Sequence, residues 1–353
     1  MIELALFGNH YQMGKQHGEQ VASLRTHILS AMEERLQSLA NMGDTTPYEK
    51  ELLDIWQELG QNTLTMLQGI AEVLRLPWEL FFRYTVASYL EDRLGGTPHT
   101  EGCTAWAATD PITRDGSPIL AKNRDYRPTH LPLQGIARAT PDKGYAYIYV
   151  TSAGSPGVFS SGMNEVGVAV ADTHVVSLDI GPGLARYSVM MDILETCASV
   201  GEALDYIFQV PHLGEGTLAL ADARGSIAVV ELGHSRQNVI PGQEGAVVTT
   251  NNFVSPGLAQ AWRDTNPPRL RGNSQARREA AYQALYQARG TVDVHWAQSY
   301  MASHQDPLSA MCRHLENDGT SETISSVIFV PQQRTVYFAN GRPCRTPYKQ
   351  FTL

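Results

Sequence analysis

Apolar and polar positions in the first hundred residues alternate with the spacing of helices. Between residues 14 and 39 apolar side chains recur every three or four positions, which is typical of one face of a helix. A second helix is predicted from Thr46-Pro47, a typical helix start, to about residue 74, and a third over residues 78–90. The pattern therefore predicts a mostly helical N-terminal segment.

From residue 103 the pattern changes to short apolar runs separated by turns, which indicates strands. Strands are predicted at residues 103–108, 118–122, 144–151, 157–161, 167–171, 217–221, 227–231, 246–250, 324–330 and 335–339. Helices are predicted at residues 187–208 and 274–288. Runs of strands joined by tight turns favour an α+β fold, in which antiparallel sheets are covered by helices.

A polar stretch, residues 91–100 with the sequence EDRLGGTPHT, separates these two parts. Its turn-forming residues predict an exposed linker. Linkers of this composition are where chains are cut. Cys103 lies just beyond the linker, directly after Gly102.

Composition and charge narrow the classes of function. The 353 residues are 42% hydrophobic, enough for a full core in one large domain or two smaller ones. The net charge is −9 and basic residues form no stripe, so nucleic acid is not an expected partner. No stretch has the pattern of a secretory signal or a membrane span, so we expect a cytoplasmic protein without a membrane partner.

The four cysteines, Cys103, Cys197, Cys312 and Cys344, lie far apart along the chain. Because there is no C-x-x-C pair, neither a disulfide framework nor a metal site is predicted. Cys197 lies within the apolar stretch 187–200, which indicates a packing role. By itself Cys103, beside a turn-forming glycine, is also best interpreted as a packing residue.

A chemical role for Cys103 would begin with a cut after Gly102. Glycine at that position permits backbone geometry that other residues cannot adopt. The cut would give Cys103 a free α-amino group with a pKa near ~8, suitable for a general base at neutral pH. One residue would then supply both the nucleophile and the base.

Motifs spread along nearly the whole chain favour this second interpretation. They are Gly8-x-x-Tyr11-x-x-Gly14-x-x-His17-Gly18, Gly102-Cys103-Thr104 with Lys122-Asn123-Arg124-Asp125-Tyr126, Ser161-Gly162-Met163-Asn164-Glu165-x-Gly167-x-x-Val170, Thr249-Thr250-Asn251, and Cys312-Arg313-His314. In this order they resemble the acyl-coenzyme A:6-aminopenicillanic acid acyltransferase family of N-terminal-nucleophile (Ntn) hydrolases. More distantly, the chain is similar to the choloylglycine hydrolases and penicillin V acylases.

The resemblance implies a four-layer αββα sandwich: two antiparallel sheets face to face, flanked by helices. It implies self-cleavage between Gly102 and Cys103 into residues 1–102, mostly helical, and residues 103–353, the catalytic core, which stay associated. A small N-acyl amide would then pass its acyl group to Cys103 as a thioester. Water or an amine acceptor would resolve that thioester, with no cofactor or metal. An acyl-coenzyme A donor stays open, although no phosphate-binding glycine loop supports it.

The resemblance also implies roles for three residues. Cys103 corresponds to the nucleophile. Asp125 corresponds to the acid that orients the new amine or the thiol. Asn251 is the expected donor to the oxyanion, with its neighbour Asn252 as a rival.

The resemblance leaves the roles of five further residues open. Lys122 is either a cation that favours the thiolate or a surface lysine. Thr173 and His174 are expected to contribute backbone groups to the oxyanion site, although such a histidine is more often structural. Arg313 pairs either with an acidic group of the site or in a structural ion pair. His17 assists processing or, as we prefer, packs between helices.

One departure from the resemblance bears on the substrate. Residues 319–323 lack the arginine that the penicillin-related enzymes carry before their penultimate strand, which argues against β-lactam substrates. Two other functions stay open. One is a binding protein of the same fold that no longer cleaves itself, and the other is a thiol enzyme with a separate Cys-His pair.

Overall fold

A computed structural model gives the fold, and it describes residues 1–95, 102–304, 306–318 and 321–353. The N-terminal part contains β1 Ile2–Gly8, α1 His10–Gln20, α2 Arg25–Ala40, α3 Thr46–Glu58, α4 Gln61–Leu74, α5 Trp78–Thr85 and α6 Ala87–Arg93. The later strands are β2 Thr104–Ala108, β3 Ile119–Tyr126, β4 Gln134–Pro141, β5 Tyr147–Ser152, β6 Ser161–Asn164, β7 Val168–His174, β8 Gly216–Asp222, β9 Ile227–Leu232, β10 Gln237–Pro241, β11 Ala246–Thr249, β12 Glu322–Val330, β13 Thr335–Ala339 and β14 Lys349–Thr352. The later helices are α7 Arg186–Thr196, α8 Val200–Ile207, α9 Pro256–Ala259, α10 Asn273–Gln287, α11 Val294–Met301 and α12 Leu315–Asp318.

The strands form two sheets. The larger has the order β1-β4-β5-β6-β7-β8-β9-β10, and the smaller has the order β11-β2-β3-β12-β13-β14. Strand β1 runs parallel to β4, while the other neighbouring strands described are antiparallel. Side chains such as Leu120 and Val229 fill the space between the two sheets.

Helices cover both outer faces. The N-terminal helices and α7 and α8 pack on the larger sheet in one continuous core. Helices α10 and α11 pack on the smaller sheet around Trp106. The four-layer αββα sandwich with two antiparallel-dominated sheets is therefore confirmed. None of the helices that the structure describes is long and apolar enough to cross a bilayer.

Several predicted helices are shorter than expected. Residues 14–39, 46–74, 78–90 and 187–208 each form two helices instead of one. Local signals mark two of these breaks: Gly60 precedes α4, and Ser199 caps α8 by accepting a hydrogen bond from the Glu202 N–H at 3.2 Å. When two successive helices bury the same side, the apolar spacing continues across the turn between them. The spacing by itself therefore did not indicate these turns.

Strands β1, β4, β10 and β14 and helix α11 were not predicted, and residues 157–160 are not a strand. In β1, Leu4 and Leu6 are buried on alternate positions, a period of two over only seven residues. Its partner β4 lies more than a hundred positions further along the chain, with Leu4 opposite Ala137. Such distant pairing leaves little local signal.

The exposed linker predicted at residues 91–100 is wrong at its beginning. Residues 91–93 belong to α6, and the buried carboxylate of Glu91 pairs with Arg35 at 2.8 Å. A charged residue is expected to be exposed from its sequence alone, but here a buried arginine satisfies it. Residues 96–101 of this stretch lie outside the described residues, so the predicted cut site is described only from Gly102 onward.

The glycines of the N-terminal motif serve close helix packing. A β-carbon at Gly14 would overlap the backbone of Met66, and one at Gly18 would come within 2.8 Å of Val73 Cβ. Helices α1 and α4 can therefore approach each other only with glycine at these positions. His17, fully buried, accepts a hydrogen bond from the Gly154 N–H at 2.9 Å, and burial lowers its pKa to about 4. This placement agrees with a packing histidine.

Candidate active site

A cavity with about 1040 Å³ of empty space, including solvent at its mouth, lies where β3 and β7 meet the N-terminal helices. Cys103 lines it, together with Lys122, Arg124 and Asp125 of β3. Its other walls come from α2, α5, α6, β7 and α7. Its lining combines aromatic and charged side chains, as in sites that bind small molecules.

Cys103 enters the cavity from the start of β2. Thr104 pairs with Asn123 in the antiparallel register, so Cys103, one residue earlier, lies at the level of Arg124. The thiol is 5% exposed and is not part of a disulfide. Its backbone is fixed by Arg277, whose Nη1 donates a hydrogen bond to the Cys103 carbonyl oxygen at 2.8 Å.

Gly102 packs directly against Asp125 and Arg313. A β-carbon at Gly102 would overlap Nη1 of Arg313 and come within 2.8 Å of Oδ2 of Asp125. The carboxylate of Asp125 accepts a hydrogen bond from Oγ1 of Thr323 at 2.6 Å, and its Oδ2 lies 3.8 Å from Nη1 of Arg313. Because all of these side chains are buried, only glycine lets the chain pass this close to the ion pair.

Asn251 lies just after β11 and is linked to Cys103 through Arg277. Its Oδ1 accepts a hydrogen bond from Nη2 of Arg277 at 2.8 Å, and its Nδ2 donates to the backbone carbonyl of His174, also at 2.8 Å. The arginine can only donate, so the oxygen of the amide faces Arg277 and the nitrogen faces away. Nδ2 carries two hydrogens, and the bond to His174 uses one of them.

Arg277 of α10 is the residue of this site that the sequence interpretation missed. It is 1% exposed, and besides Cys103 and Asn251 it donates to Thr104 Oγ1 at 2.6 Å and Asn273 Oδ1 at 2.9 Å. A signal was present in the predicted helix 274–288, because Arg277 lies on the same helical face as the buried Ala281 and Leu285. A charged residue on the apolar face of a helix needs buried partners, and that marks it as a candidate.

The cations and acids of β3, β7 and α7 form a chain of ion pairs along the cavity wall. Lys122 pairs with Asp172, which also accepts from Nε of Arg186 at 3.0 Å. Lys122 is 2% exposed, so it is not a surface lysine. Burial by itself would raise the pKa of Asp172, but Lys122 and Arg186 lower it below its ordinary value. Lys122 therefore forms its ion pair with Asp172 inside the cavity that Cys103 also lines.

His174 and Thr173 lie at the end of β7 with different surroundings. The His174 ring lines the cavity, with Nε2 at 3.5 Å from Oδ2 of Asp92 and 3.8 Å from Oε2 of Glu215. Thr173 is not among the described residues that line the cavity, and its hydroxyl donates to the Thr250 carbonyl at 2.6 Å. The His174 carbonyl is therefore linked to the site by its hydrogen bond from Asn251. The Thr173 side chain instead bonds across from the larger sheet to the residue after β11 of the smaller sheet.

Asn252, the rival of Asn251, bonds to residues other than Arg277. Its Oδ1 accepts from the Ser274 hydroxyl at 2.7 Å and from the Thr250 hydroxyl at 3.0 Å. These bonds tie the residues after β11 to the start of α10. Of the two asparagines, Asn251 is the one that shares Arg277 with the Cys103 carbonyl, and neither is among the described residues that line the cavity.

Arg124 differs from the other cations of the cavity, which are Arg35, Lys122, Arg127 and Arg186. Those four pair with Glu91, Asp172, Glu34 and Asp172, respectively. Arg124 donates to Gln134 Oε1 at 3.0 Å and stacks 4.5 Å from the ring centre of Phe159, and no carboxylate among the described residues pairs with it.

His130 lies among these arginines. Burial and then Arg124, Arg35 and Arg127 lower its pKa to about 3. Its depressed pKa reflects both its burial and a positive potential at this end of the cavity.

This fold and site define a class of proteins. The αββα sandwich, with a cysteine at the start of a strand of the inner sheet pair, is the fold of the Ntn hydrolases. It is similar to the structure of a mutant of the conjugated bile acid hydrolase from Clostridium perfringens, with a TM-score of 0.50 and 14% identity over 71% of this chain and 97% of that one. The structure of penicillin V acylase from Agrobacterium tumefaciens is also similar, with a TM-score of 0.39, 16% identity, and coverage of 71% and 86%.

The sequence identifies the family within this class. The profile of the acyl-coenzyme A:6-aminopenicillanic acid acyl-transferase family matches residues 112–345, about two thirds of the chain. The chain therefore belongs to this family, and the resemblance stated from its motifs is confirmed. No curated protein sequence matches the chain.

Proposed function

We propose that this protein is a self-processing cysteine amidohydrolase or acyltransferase that acts on a small N-acyl amide. The observation that carries the proposal is the position of the Gly102–Cys103 peptide. Cys103 lines the cavity, the glycine lies against Asp125, and Arg277 donates a hydrogen bond to the Cys103 carbonyl oxygen. Family membership supports the same class of reaction.

Processing begins at this peptide. The Cys103 sulfur attacks the carbonyl carbon of Gly102, a C–S bond forms, and the C–N bond between the two residues breaks. Water then hydrolyses the thioester, which leaves a carboxylate on Gly102 and an α-amino group on Cys103. Asp125 and Arg313, already in contact with Gly102, are placed to orient the groups that separate. Residues 1–102 and 103–353 remain packed together, because β1 is a strand of the larger sheet.

Turnover uses the same thiol with a substrate amide. The new amine of Cys103 takes the thiol proton, the sulfur attacks the acyl carbon, and the substrate's amine leaves with that proton. Nδ2 of Asn251 donates to the oxygen that becomes negative. Water resolves the acyl-thioester in hydrolysis, and an amine resolves it in transfer. We favour hydrolysis, because water is always present and transfer requires a second bound substrate.

Arg124 favours a substrate that carries a carboxylate. It lines the same cavity as Cys103, stacks on aromatic rings, and has no carboxylate partner among the described residues. An arginine in such a place binds a carboxylate through two parallel hydrogen bonds. N-acyl amino acids have this group, either on the leaving amine or on the acyl part.

Intact mass after purification tests the proposed processing. We expect two pieces, residues 1–102 and 103–353, and a single full-length chain for Cys103→Ala. A wild-type chain that remains whole after long incubation would contradict the proposal and favour the binding protein of the same fold. Activity that survives in Cys103→Ala would favour a thiol enzyme with another nucleophile.

A substrate panel tests the anionic group. N-acyl amino acids are compared with their neutral carboxamides, with acyl-amines and with penicillins, and release of the amine is measured. We expect the carboxylates to be preferred by about 10-fold or more, and Arg124→Gln to abolish the preference without abolishing cleavage of the neutral amides. Placing the carboxylate on the acyl part or on the amine shows which side faces Arg124. Equal rates for charged and neutral members would exclude this role of Arg124.

A Cys-His pair does exist elsewhere in the chain, as the third interpretation requires. Cys312 and Cys344 lie beside His314, with Sγ to Nε2 distances of 3.7 Å and 3.4 Å. None of these three is among the described residues that line the cavity with Cys103. Their separation from the cavity supports Cys103 as the proposed nucleophile.

A further inference from the structure

Two cysteines and two histidines from distant parts of the chain meet near the start of β12. Sγ of Cys312 lies 3.5 Å from Sγ of Cys344. Nε2 of His314 lies 3.7 Å and 3.4 Å from these sulfur atoms. Potential ligand atoms of His304, His314 and Cys344 all lie within 4.8 Å of one another, and Cys312 adjoins two of these three residues, His314 and Cys344. We call these four residues the Cys2His2 cluster.

The spacing of this cluster fits a tetrahedral ion. With Zn–S near ~2.3 Å and Zn–N near ~2.0–2.1 Å, the edges of a tetrahedral site are about 3.8 Å between two sulfurs and about 3.6 Å between sulfur and nitrogen. The three distances among Cys312, His314 and Cys344, 3.5, 3.7 and 3.4 Å, lie within about 0.3 Å of those edges. One ion could therefore touch all three atoms with little movement.

The His304 ring has one nitrogen bonded to the backbone, as metal-bound histidines do, and the His314 ring faces the sulfurs with its Nε2. Nδ1 of His304 donates to the Ala302 carbonyl at 3.0 Å, which leaves Nε2 as the nitrogen that can bind a cation. Nδ1 of His314 lies 4.0 Å from Oε2 of Glu316, while its Nε2 faces the sulfurs. A carbonyl or carboxylate on the far nitrogen is the usual partner of a metal-bound imidazole.

We propose that the Cys2His2 cluster binds one Zn²⁺ ion as a structural site. Cys312, His314 and Cys344 supply three ligands at tetrahedral spacing, and His304 would complete the site by moving toward Cys312. Two thiolates and two imidazoles select zinc among the common divalent ions, and four protein ligands would leave no position open for catalysis. Binding releases the two thiol protons and forms two Zn–S and two Zn–N bonds, with no change of oxidation state.

Zinc at this site would anchor Arg313, which lies beside Asp125. Arg313 is between the two ligands Cys312 and His314 in the chain. The Cys312 N–H donates to the Ser303 carbonyl at 2.8 Å, and the Thr323 N–H donates to the Arg313 carbonyl at 3.0 Å. The ion would join this segment to Cys344, beyond β13, and so hold the guanidinium against Gly102 from outside the cavity.

Metal content of the full chain tests the proposal without reference to activity. The protein is purified without a histidine tag or chelator, and zinc is measured by inductively coupled plasma mass spectrometry. We expect about one zinc per chain in the wild type and in Cys103→Ala, because the site is separate from the nucleophile. Cys344→Ser and His314→Gln should lose it. Cys197→Ser and the exposed His295→Gln are matched controls that should retain it.

A second measurement covers protein that is isolated without zinc. The chain is reduced under anaerobic conditions and titrated with ZnCl2, and separately with Co²⁺, whose absorption reports tetrahedral thiolate ligation. Stoichiometric binding that depends on Cys312 and Cys344 supports the site. Failure of the reduced, folded wild type to bind either ion overturns it, and so does equal binding by Cys344→Ser. An intact mass two hydrogens lower with no metal uptake after reduction would also overturn it and indicate a disulfide.

Discussion

Cys103 and Cys197 are similarly buried, with exposed fractions of 5% and 4%, but their surroundings differ. Cys103 lies at the edge of a cavity, and two polar elements hold its backbone: Arg277 on the carbonyl and the Asp125–Arg313 pair beside Gly102. Cys197 follows α7 in the hydrophobic core, where its carbonyl accepts from Nδ2 of Asn164 at 2.9 Å. Burial raises the pKa of the Cys197 thiol, which keeps it protonated and inert.

The comparison shows that burial does not distinguish the proposed nucleophile from a packing cysteine. What differs is contact with a cavity and the density of fixed donors around the adjacent peptide. Arg277 illustrates this difference, because three of its hydrogen bonds reach Cys103, Thr104 and Asn251. Cys197 instead packs among apolar side chains. The following substitutions test the comparison, beginning with the largest expected effect.

Replacing each cysteine by alanine should separate the two regions most clearly. Cys103→Ala removes the sulfur that forms the thioester, so we expect no processing and a loss of at least about 10⁴-fold in kcat/KM. Intact mass and amine release measure the two effects. If Cys197→Ala caused the same loss in folded protein, the assignment of chemistry to Cys103 would fail.

Gly102→Ala should slow processing strongly while the protein still folds. The added β-carbon overlaps the buried Arg313 guanidinium and approaches Asp125, so the scissile peptide must shift. A displacement of this kind can cost on the order of 10²-fold in rate. The fraction cleaved over time is read by mass spectrometry. Gly201→Ala, whose new β-carbon would meet only Ser199 Oγ at 3.7 Å among the described residues, is the control and should cleave normally.

Arg277→Met should reduce kcat more than it changes KM. The substitution removes the hydrogen bond that turns the Asn251 amide, and loss of one oxyanion donor costs on the order of 10²-fold. Arg277→Lys keeps the charge and should restore part of the rate. The neighbouring Arg278→Met, which loses stacking on Tyr282, is the control. An equal rise in KM with kcat unchanged would show that Arg277 acts on binding and not on the oxyanion donor.

Cys197→Ala should have the smallest effect, limited to stability. It removes one buried sulfur from the core, so we expect the free energy of unfolding to fall by about 1 kcal/mol with turnover unchanged. Denaturant unfolding of Cys197→Ala and wild type measures the difference. A fall in kcat without a fall in stability would mean that Cys197 is not a mere packing residue.

Much of the fold could be predicted from local patterns. The order of helices and strands followed from apolar periodicity, and the helix over residues 274–288 matches α10 to within a residue at each end. Strand β1 was missed because its seven residues carry a weak pattern and its partner β4 is remote. The predicted exposed linker failed at Glu91, because the buried Arg35 that satisfies it lies on another helix.

The residues of the candidate site also fall into two groups, those that the sequence indicates and those that only the structure shows. Cys103, Asp125 and Asn251 could be proposed because each lies in a motif that local sequence displays. No partner could be assigned to Arg277 from the sequence. Its partner Cys103 is 174 positions away in the chain, and nothing in the helix of Arg277 indicates this contact. The expectation that no metal site exists rested on the distance between cysteines along the chain. That criterion does not register residues that the fold brings together, as it does Cys312, Cys344 and His314.

The sequence by itself determined the family, the class of fold and the cysteine that follows a glycine at a candidate cut. These depend on short motifs and on periodicity, which neighbouring residues encode. Only the tertiary structure decided what surrounds that cysteine: the arginine behind its carbonyl, the Arg124 guanidinium stacked on an aromatic ring in the same cavity, and, outside it, the second pair of cysteines beside two histidines. The reason is physical, because contacts between remote residues are set by sheet register and helix packing across the whole chain.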